Sequence, residues 1–350
     1  MLAVETIAAL SDLSESPKTN LSRSWNQIVE QVDPFLQSVH QRLIEQTQQF
    51  DPQLVPYAQS ALSGSGKHLR PALVALAGSA VGPIGDEQIN AAVIIEMVHL
   101  ATLVHDDVMD EAEIRRGQPT IAAQWGNEIA VLFGDCLFAQ ALTLASTYPT
   151  MDVCRAVAKA TNTVCTGEIL QTQHRRKFEL SRRDYFRVIE MKTGELFTLS
   201  CDLAAFLGGA RADQRAALRQ FGAAFGTAYQ VYDDCVDLFG TETAAGKSLG
   251  TDLAKGKLTW PVLLAWERAT GDDRRALENL IQEWQPQNWA SVNELLVRYE
   301  TFQPSLELIS QYLARARQAL AILPGSSGRD GLLALADFLT QQTGTLTVGR

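Results

Sequence analysis

The sequence predicts an all-α fold, and three observations carry that reading. Apolar residues recur at three- and four-residue steps through most of the 350 residues, the period of an amphipathic helix. Alternating, strand-like stretches are scarce. The breaks between periodic segments fall on turn chemistry: "VGPIGD" at 81–86, "RRGQPT" at 115–120, "YPTMD" at 148–152 and "LGGAR" at 207–211.

In chain order, residues 1–22 read as a flexible N-terminal segment. They do not resemble a signal peptide: the apolar part is short, carries Glu5 and has no basic region before it. Glu5, Asp12 and Glu15 fit a transit peptide equally poorly. From 23 to 350 the chain reads as one domain. "WNQIVEQVDPFLQSVHQRLIEQTQ" opens it as an amphipathic helix. Residues 87–110, "EQINAAVIIEMVHLATLVHDDVMD", are apolar on most sides, which puts this helix at the centre of a bundle. Further helices are expected at about 119–147, 151–173, 182–208 and 211–239. From 240, "GTETAAGKSLGTDLAKGKLTWP" lacks a sustained apolar face and reads as a long functional loop. Smaller helices follow Pro261 to about 343. No uninterrupted apolar run approaches the ~18 residues of a membrane span.

Composition narrows the partners. With 46% hydrophobic residues the chain can bury a sizeable core. A net charge of −10 argues against nucleic acid as a ligand, and means that any attraction of an anion must be local. The five cysteines (Cys136, Cys154, Cys165, Cys201, Cys235) form no CxxC pair and no zinc-like spacing with histidine. They read as buried thiols in a reducing, cytoplasmic compartment.

Two acidic clusters stand out. "DDVMD" ends the apolar helix at 106–110, and "DDCVD" repeats the spacing at 233–237. Asp106 and Asp110 are four apart and share a helix face, as do Asp233 and Asp237. Like charges at that spacing destabilise a helix unless a cation lies between them. Oxygen-only ligands favour a hard cation, and few carboxylates suit magnesium completed by phosphates and water. One copy alone would read as a solvated helix end; two copies, each behind an apolar segment, ask for a shared ligand.

Cations accompany them. "SGSGKHLRP" (63–71) offers Lys67 and Arg70, and Arg115 and Arg116 follow the first acidic cluster. Guanidinium forks suit phosphate oxygens. A P-loop is excluded, because His68 follows Lys67 and Ala61 stands where the first glycine belongs. Lys192 in "EMKTGELF", and Lys247 and Lys257 in the long loop, are further candidates, although loop lysines are most often merely solvated.

These residues together carry a resemblance. "GKHLRP", "HLATLVHDDVMDEAEIRRG", "GD" at 134–135, "GEILQ" at 167–171, "KTG", "YQVYDDCVD" and "GKSLGTDLAKGKLTWP" occur in the order found in trans-isoprenyl (polyprenyl) diphosphate synthases. The resemblance covers roughly residues 60–265 and is closest to the long-chain members. It implies an all-α orthogonal bundle of the isoprenoid synthase type, usually a homodimer, with the two aspartate motifs facing each other across a deep central cavity. It also implies roles. Asp106, Asp110 and Asp233, supported by Asp107 and Asp237, would hold magnesium, roughly three ions per site, on an allylic diphosphate. Lys67, Arg70, His99 and Arg116 match positions that bind isopentenyl diphosphate. Arg115, Lys192, Thr193, Gln230, Lys247 and Lys257 match those around the allylic diphosphate. Taken alone, His99 would be an ordinary helix histidine. His68 stands where the family more often has Arg or Lys.

The implied reaction is head-to-tail condensation, in which the allylic diphosphate ionises and the double bond of isopentenyl diphosphate attacks the cation. Small residues at Ala101 and Thr102 leave room for a long product, of the kind that feeds quinone side chains, released through peripheral contact with a membrane. A farnesyl- or geranylgeranyl-length product is the alternative. A terpene cyclase would not need the second set of cations, Lys67, Arg70 and Arg116. A head-to-head synthase would lack the "GKxxRP" and "GKxxGxDLxxGK" patterns, and a non-catalytic subunit should have lost an acidic motif.

Overall fold

This computed structural model describes residues 18–63, 66, 68–240 and 249–347, with backbone alone for 18–27 and 29. Helix α1 (Lys18–Thr47) begins inside the stretch expected to be flexible, and residues 1–17 lie outside the described residues. Helices α2 (Val55–Ser63), α3 (Leu69–Ser79) and α4 (Asp86–Met109) follow. A two-stranded hairpin, β1 (Ile114–Arg115) and β2 (Gln118–Pro119), leads to α5 (Ile121–Trp125) and α6 (Asn127–Ala145). Next come α7 (Met151–Gln173), α8 (Arg182–Ile189), α9 (Glu195–Leu207) and α10 (Ala212–Phe239). The remaining helices are α11 (Thr251–Ala254), α12 (Trp260–Arg268), α13 (Gly271–Gln282), α14 (Trp289–Arg298), α15 (Phe302–Ala319) and α16 (Ser327–Gly344).

The all-α expectation holds among the described residues, where strand is confined to the short hairpin. Two expected helices are subdivided. The one at 119–147 breaks at Gly126, and the one at 182–208 passes through a turn of π-helix, Glu190–Gly194. Both breaks escape periodicity because the apolar pattern continues through them.

The chain forms two compact units. One comprises Met1–Thr161 (described from Lys18), Leu196–Arg219 and Leu320–Phe338; the other comprises Asn162–Glu195, Gln220–Ala319 and Leu339–Arg350. In the first unit α4 is the centre, with the eight successive residues 91–98 all buried. Its start is capped by Gln88, whose side-chain oxygen accepts from the Gly85 N–H at 2.9 Å, while Asp86 and Glu87 suit the positive end of the helix dipole. Helix α6 packs along α4. Gly134 permits this approach: a Cβ there would lie 2.2 Å from His105 Nε2. That nitrogen instead reaches the Val131 carbonyl at 3.0 Å. In the same unit Asp202 of α9 is buried and accepts from Arg215 of α10 at 2.7 and 2.9 Å.

Helices α4 and α6 are each long and apolar enough by composition to cross a membrane, although neither is an uninterrupted apolar run. The enclosure of residues 91–98 by protein identifies α4 as a core helix. On α6, Val131, Leu132 and Leu142 are exposed, Leu132 at 62%.

In the second unit Phe221 and Phe225 stack at 5.7 Å, and Tyr185 and Phe186 gather about Trp260 with centroids 6.0 and 5.3 Å away. A groove of about 600 Å³, lined by Leu280, Glu283, Asn288, Glu294 and Arg298 among others, carries none of the motif residues. None of the five cysteines is in a disulfide. Cys201 and Cys235 are buried, as expected of all five, whereas Cys165 is exposed and Cys136 and Cys154 are part-buried.

Candidate active site

The first aspartate motif closes α4. Asp106 lies in the last helical turn, and Asp110 is the C-cap, its N–H bonded to the Asp106 carbonyl at 2.8 Å. Both are half-buried. Asp107 differs, at 5% exposure with its Oδ1 accepting from Arg115 Nε at 2.6 Å. The chain returns to make this contact through the hairpin, where Arg115 pairs with Gln118. The loop residues Arg116 and Gly117 have φ of +51° and +75°, as a two-residue primed turn requires. "RRG" is therefore a tight turn that sends Arg115 back to α4 and Arg116 elsewhere.

Arg116 packs against Gly66, where a Cβ would meet its guanidinium at 2.7 Å. Gly66 thus borders the hairpin, whereas Lys67 lies outside the described residues. His68 begins α3 in a left-handed conformation, φ +44°, with Nδ1 3.8 Å from the buried Glu96. Arg70 stacks its guanidinium 4.9 Å from the Phe197 ring. His99 feels all of these charges. Burial, then Arg70, Arg116, Arg115 and His68, hold its pKa well below the usual histidine value. A neutral imidazole among three arginines is a concentrated positive site in a chain of net charge −10. Arg70, His99 and Arg116, expected together on one diphosphate, are brought together. Ala101 is fully buried, and Thr102, one turn before Asp106, donates to the His99 carbonyl at 2.6 Å.

In the second unit the π-turn presents Lys192 and Thr193. Lys192 is held by the Glu168 carboxylate and donates to Gln171 Oε1 at 2.9 Å. Both partners lie on α7 in "GEILQ", three residues apart and so on one face. Thr193 donates to Gln230 Oε1 at 2.7 Å, and Gln230 Nε2 donates to Asp234 Oδ1 at 2.8 Å. Tyr185 donates to the other Asp234 oxygen at 2.5 Å. Burial, then Asp252, push the Asp234 carboxyl up to about 8 against the pull of its two donors. Asp233 is exposed. Asp237, expected to bind metal, is fully buried: Oδ1 accepts from the Thr251 N–H and hydroxyl at 3.2 and 2.6 Å, and Oδ2 from the Asp252 N–H at 3.1 Å. It fixes the start of α11. Lys257, half-buried, follows in the same loop with its N–H on the Asp252 carbonyl at 2.8 Å; Lys247 lies outside the described residues.

Among the described residues no three His, Cys, Asp or Glu side chains are grouped to hold a metal on their own. The donor chemistry still fits magnesium, since a pair such as Asp106 and Asp110 offers oxygen alone and leaves positions for phosphate and water. Sequence reasoning gave no role to Glu96, Glu168, Gln171, Tyr185 or Asp234. "GEILQ" carried a signal as a motif without an assigned partner, and Asp234 lay within "DDCVD" without a role of its own.

A family model described as Polyprenyl synthetase matches residues 51–298. The chain is 31% identical over 316 residues to the octaprenyl diphosphate synthase of Haemophilus influenzae, covering 89% of this chain and 95% of that protein. It is 36% identical over 306 residues to heptaprenyl diphosphate synthase component 2 of Bacillus subtilis, covering 86% of each. A polyprenyl synthase from Caulobacter crescentus, solved with calcium and isoprenyl diphosphate, matches with a TM-score of 0.85 at 32% identity, over 90% of this chain and 97% of that one.

Proposed function

Because this chain belongs to the polyprenyl synthetase family, it is a prenyltransferase that condenses isopentenyl diphosphate onto an allylic diphosphate, and we propose a magnesium-dependent, long-chain, all-trans product for it. The observation that carries the substrate reading is the neutral His99 amid Arg70, Arg115 and Arg116, a local anion site beside the first aspartate motif. Arg70, Arg116 and His99, with Lys67, hold isopentenyl diphosphate. Arg115, paired with Asp107, and Lys192, held by Glu168 and Gln171, serve the allylic diphosphate, with Thr193, Gln230, Lys247 and Lys257. Asp106, Asp110 and Asp233 hold magnesium, and Asp237 supports them by ordering the loop that carries Lys257. When bound, the metal neutralises charge on the leaving diphosphate.

The chain's own groups do the rest. The fixed arginines and lysines stabilise the negative charge that grows as the allylic C–O bond breaks and the diphosphate departs with the electron pair. The double bond of isopentenyl diphosphate then attacks the allylic cation, and the departed diphosphate takes the proton that is lost. Apolar walls keep water from the cation.

The exposed Val131, Leu132, Leu142 and Met151 support a homodimer. The Bacillus relative is one component of its enzyme, so a partner subunit is the second reading. Free thiols suit the cytoplasm, and a long apolar product suits peripheral contact with a membrane. The test incubates the purified chain with labelled isopentenyl diphosphate, farnesyl diphosphate and magnesium, then sizes the products. Long products from this chain alone are expected; extension only after a second protein is added would favour the partner-subunit reading.

A further inference from the structure

In the second unit the chain that leaves α7 meets the loop that carries Lys257. Arg176, three residues past the end of α7, stands in the left-handed region at φ +59°. Its N–H donates to the Gly256 carbonyl at 2.7 Å. Its side chain lies over the same residue, where a Cβ would meet Arg176 Cγ at 2.6 Å. The proposed reaction gives Arg176 no role. We infer that Arg176 is a positioning residue: its left-handed backbone holds the Gly256 carbonyl, and so fixes the stretch of chain from which Lys257 serves the allylic diphosphate.

Lys257 is placed by the way α11 ends. The Gly256 N–H returns to the Leu253 carbonyl at 2.9 Å, and the Lys257 N–H to the Asp252 carbonyl at 2.8 Å. These are the paired bonds of a Schellman motif, with Gly256 left-handed at φ +72°. The motif uses the N–H groups of Gly256 and Lys257 but not the Gly256 carbonyl. Gly256 is buried, and a buried carbonyl needs a donor. Arg176 supplies it. A left-handed residue just beyond a helix commonly returns its N–H to that helix, whereas this one crosses to another segment. The conformation is uncommon for a residue with a side chain and persists where its surroundings demand it. Asp237 ties the start of α11 through Thr251 and Asp252, and Arg176 ties the end nearer Lys257. Near the same end of α7, Glu168 and Gln171 hold Lys192. One helix end thus braces both lysines.

The inference rests on the reading that Lys257 serves the allylic diphosphate, and Lys257→Ala tests that reading by itself. It should lower kcat/KM for farnesyl diphosphate, and no change would overturn the reading and the inference with it. Variants at 176 then separate backbone from charge. Arg176→Val abolishes the left-handed conformation, which β-branched residues avoid, whereas Arg176→Asn keeps it; both lose the guanidinium. Arg176→Val should lower kcat/KM for farnesyl diphosphate about tenfold while KM for isopentenyl diphosphate stays within about twofold. Arg176→Asn should stay within about threefold of the unaltered protein in both. Arg176→Ala, less averse to the left-handed region than valine, should fall between them and carries the comparison if the valine variant does not fold. In a Lys257→Ala background Arg176→Val should have no further effect, because the loop then has no ammonium to place. Given a loss in Lys257→Ala, four results would each overturn the inference while leaving the proposed function in place. Equal losses in Arg176→Val and Arg176→Asn would mean that the guanidinium itself acts. Equal losses for both substrates, together with a lowered melting temperature, would mean a merely structural role. Additive effects in the double variant would separate Arg176 from Lys257. Unchanged kinetics in both Arg176→Val and Arg176→Ala would leave the Gly256 contact without consequence.

Discussion

Arg115 Nε donates to the Asp107 carboxylate at 2.6 Å, tying the hairpin back to the helix end eight residues earlier. The aspartates of the first motif therefore differ in kind. Asp107 is buried against an arginine, while Asp106 and Asp110 share a face four residues apart. Asp106→Ala is expected to lower turnover by roughly three orders of magnitude or more, because charge stabilisation worth several kcal/mol is removed. Asp107→Asn should act first on stability, by about 2 kcal/mol, less than a fully buried pair because Arg115 reaches solvent. Turnover against magnesium concentration and urea melts separate the two. Indistinguishable profiles for the two variants would mean that the ion pair does not set Asp107 apart.

Arg70 and Lys192 should report on different substrates. Arg70 adjoins His99, and Lys192 is braced by Glu168 and Gln171. Arg70→Ala is expected to raise KM for isopentenyl diphosphate about tenfold to a hundredfold with a smaller change for the allylic substrate. Lys192→Ala should show the reverse preference. Steady-state kinetics with each substrate varied in turn provide the check, and equal effects on both substrates would sink the assignment.

The depressed pKa of His99 carries a pH dependence whose sign is fixed. The folded protein keeps this imidazole neutral, through burial and the nearby arginines, while the unfolded chain protonates it near the ordinary value of about 6.5. As pH falls below that value the unfolded state gains a proton that the folded state refuses. Stability should therefore drop, by up to about 1.4 kcal/mol per pH unit from this residue. Urea melts at pH 7.5 and 5.5 should show a smaller drop for His99→Gln than for the unaltered protein; the same drop in both would show that His99 is not the group responsible.

The sequence made some of this legible and hid the rest for physical reasons. The centre of the bundle was readable because α4 is apolar on nearly every side, and a buried helix has no polar face to preserve. The cation cluster around His99 was readable as types and order, since Arg70, Arg115 and Arg116 bracket the helix that carries it. The pairing of Arg115 with Asp107 was not, because a spacing of eight says nothing until the chain reverses at Arg116 and Gly117. "GD" at 134–135 was visible only as a pattern, and its glycine is explained by the His105 ring that it admits. Lys192 could be nominated from its motif, but its partners lie 21 and 24 residues earlier on another helix, beyond the reach of any local period.

The proposed long product is tested on the part of α4 that precedes Asp106. Thr102 lies four residues before Asp106 and so nearly in line with it, whereas Ala101 lies five before, about 140° round the helix. Ala101 is fully buried, and the Thr102 hydroxyl is already bonded to the His99 carbonyl at 2.6 Å. A tail growing down the Asp106 side of α4 meets Thr102, and one that turns round the helix meets Ala101; both side chains are small. Each added isoprenyl unit favours growth by roughly 3–4 kcal/mol at most through burial, and an aromatic ring pushed into a packed wall offsets much of that. Ala101→Phe is expected to shift products toward about fifteen or twenty carbons while the first condensation proceeds, with Thr102→Phe acting in the same direction. Because Ala101 is fully buried, overpacking can also lower stability by about 1–3 kcal/mol, so each variant is melted before its products are sized. A folded Ala101→Phe with an unchanged product distribution would mean that Ala101 only permits close helix packing. Shortening by Thr102→Phe alone would then put the tail along the Asp106 side of α4, and no shortening in either variant would put the floor of the pocket on another helix.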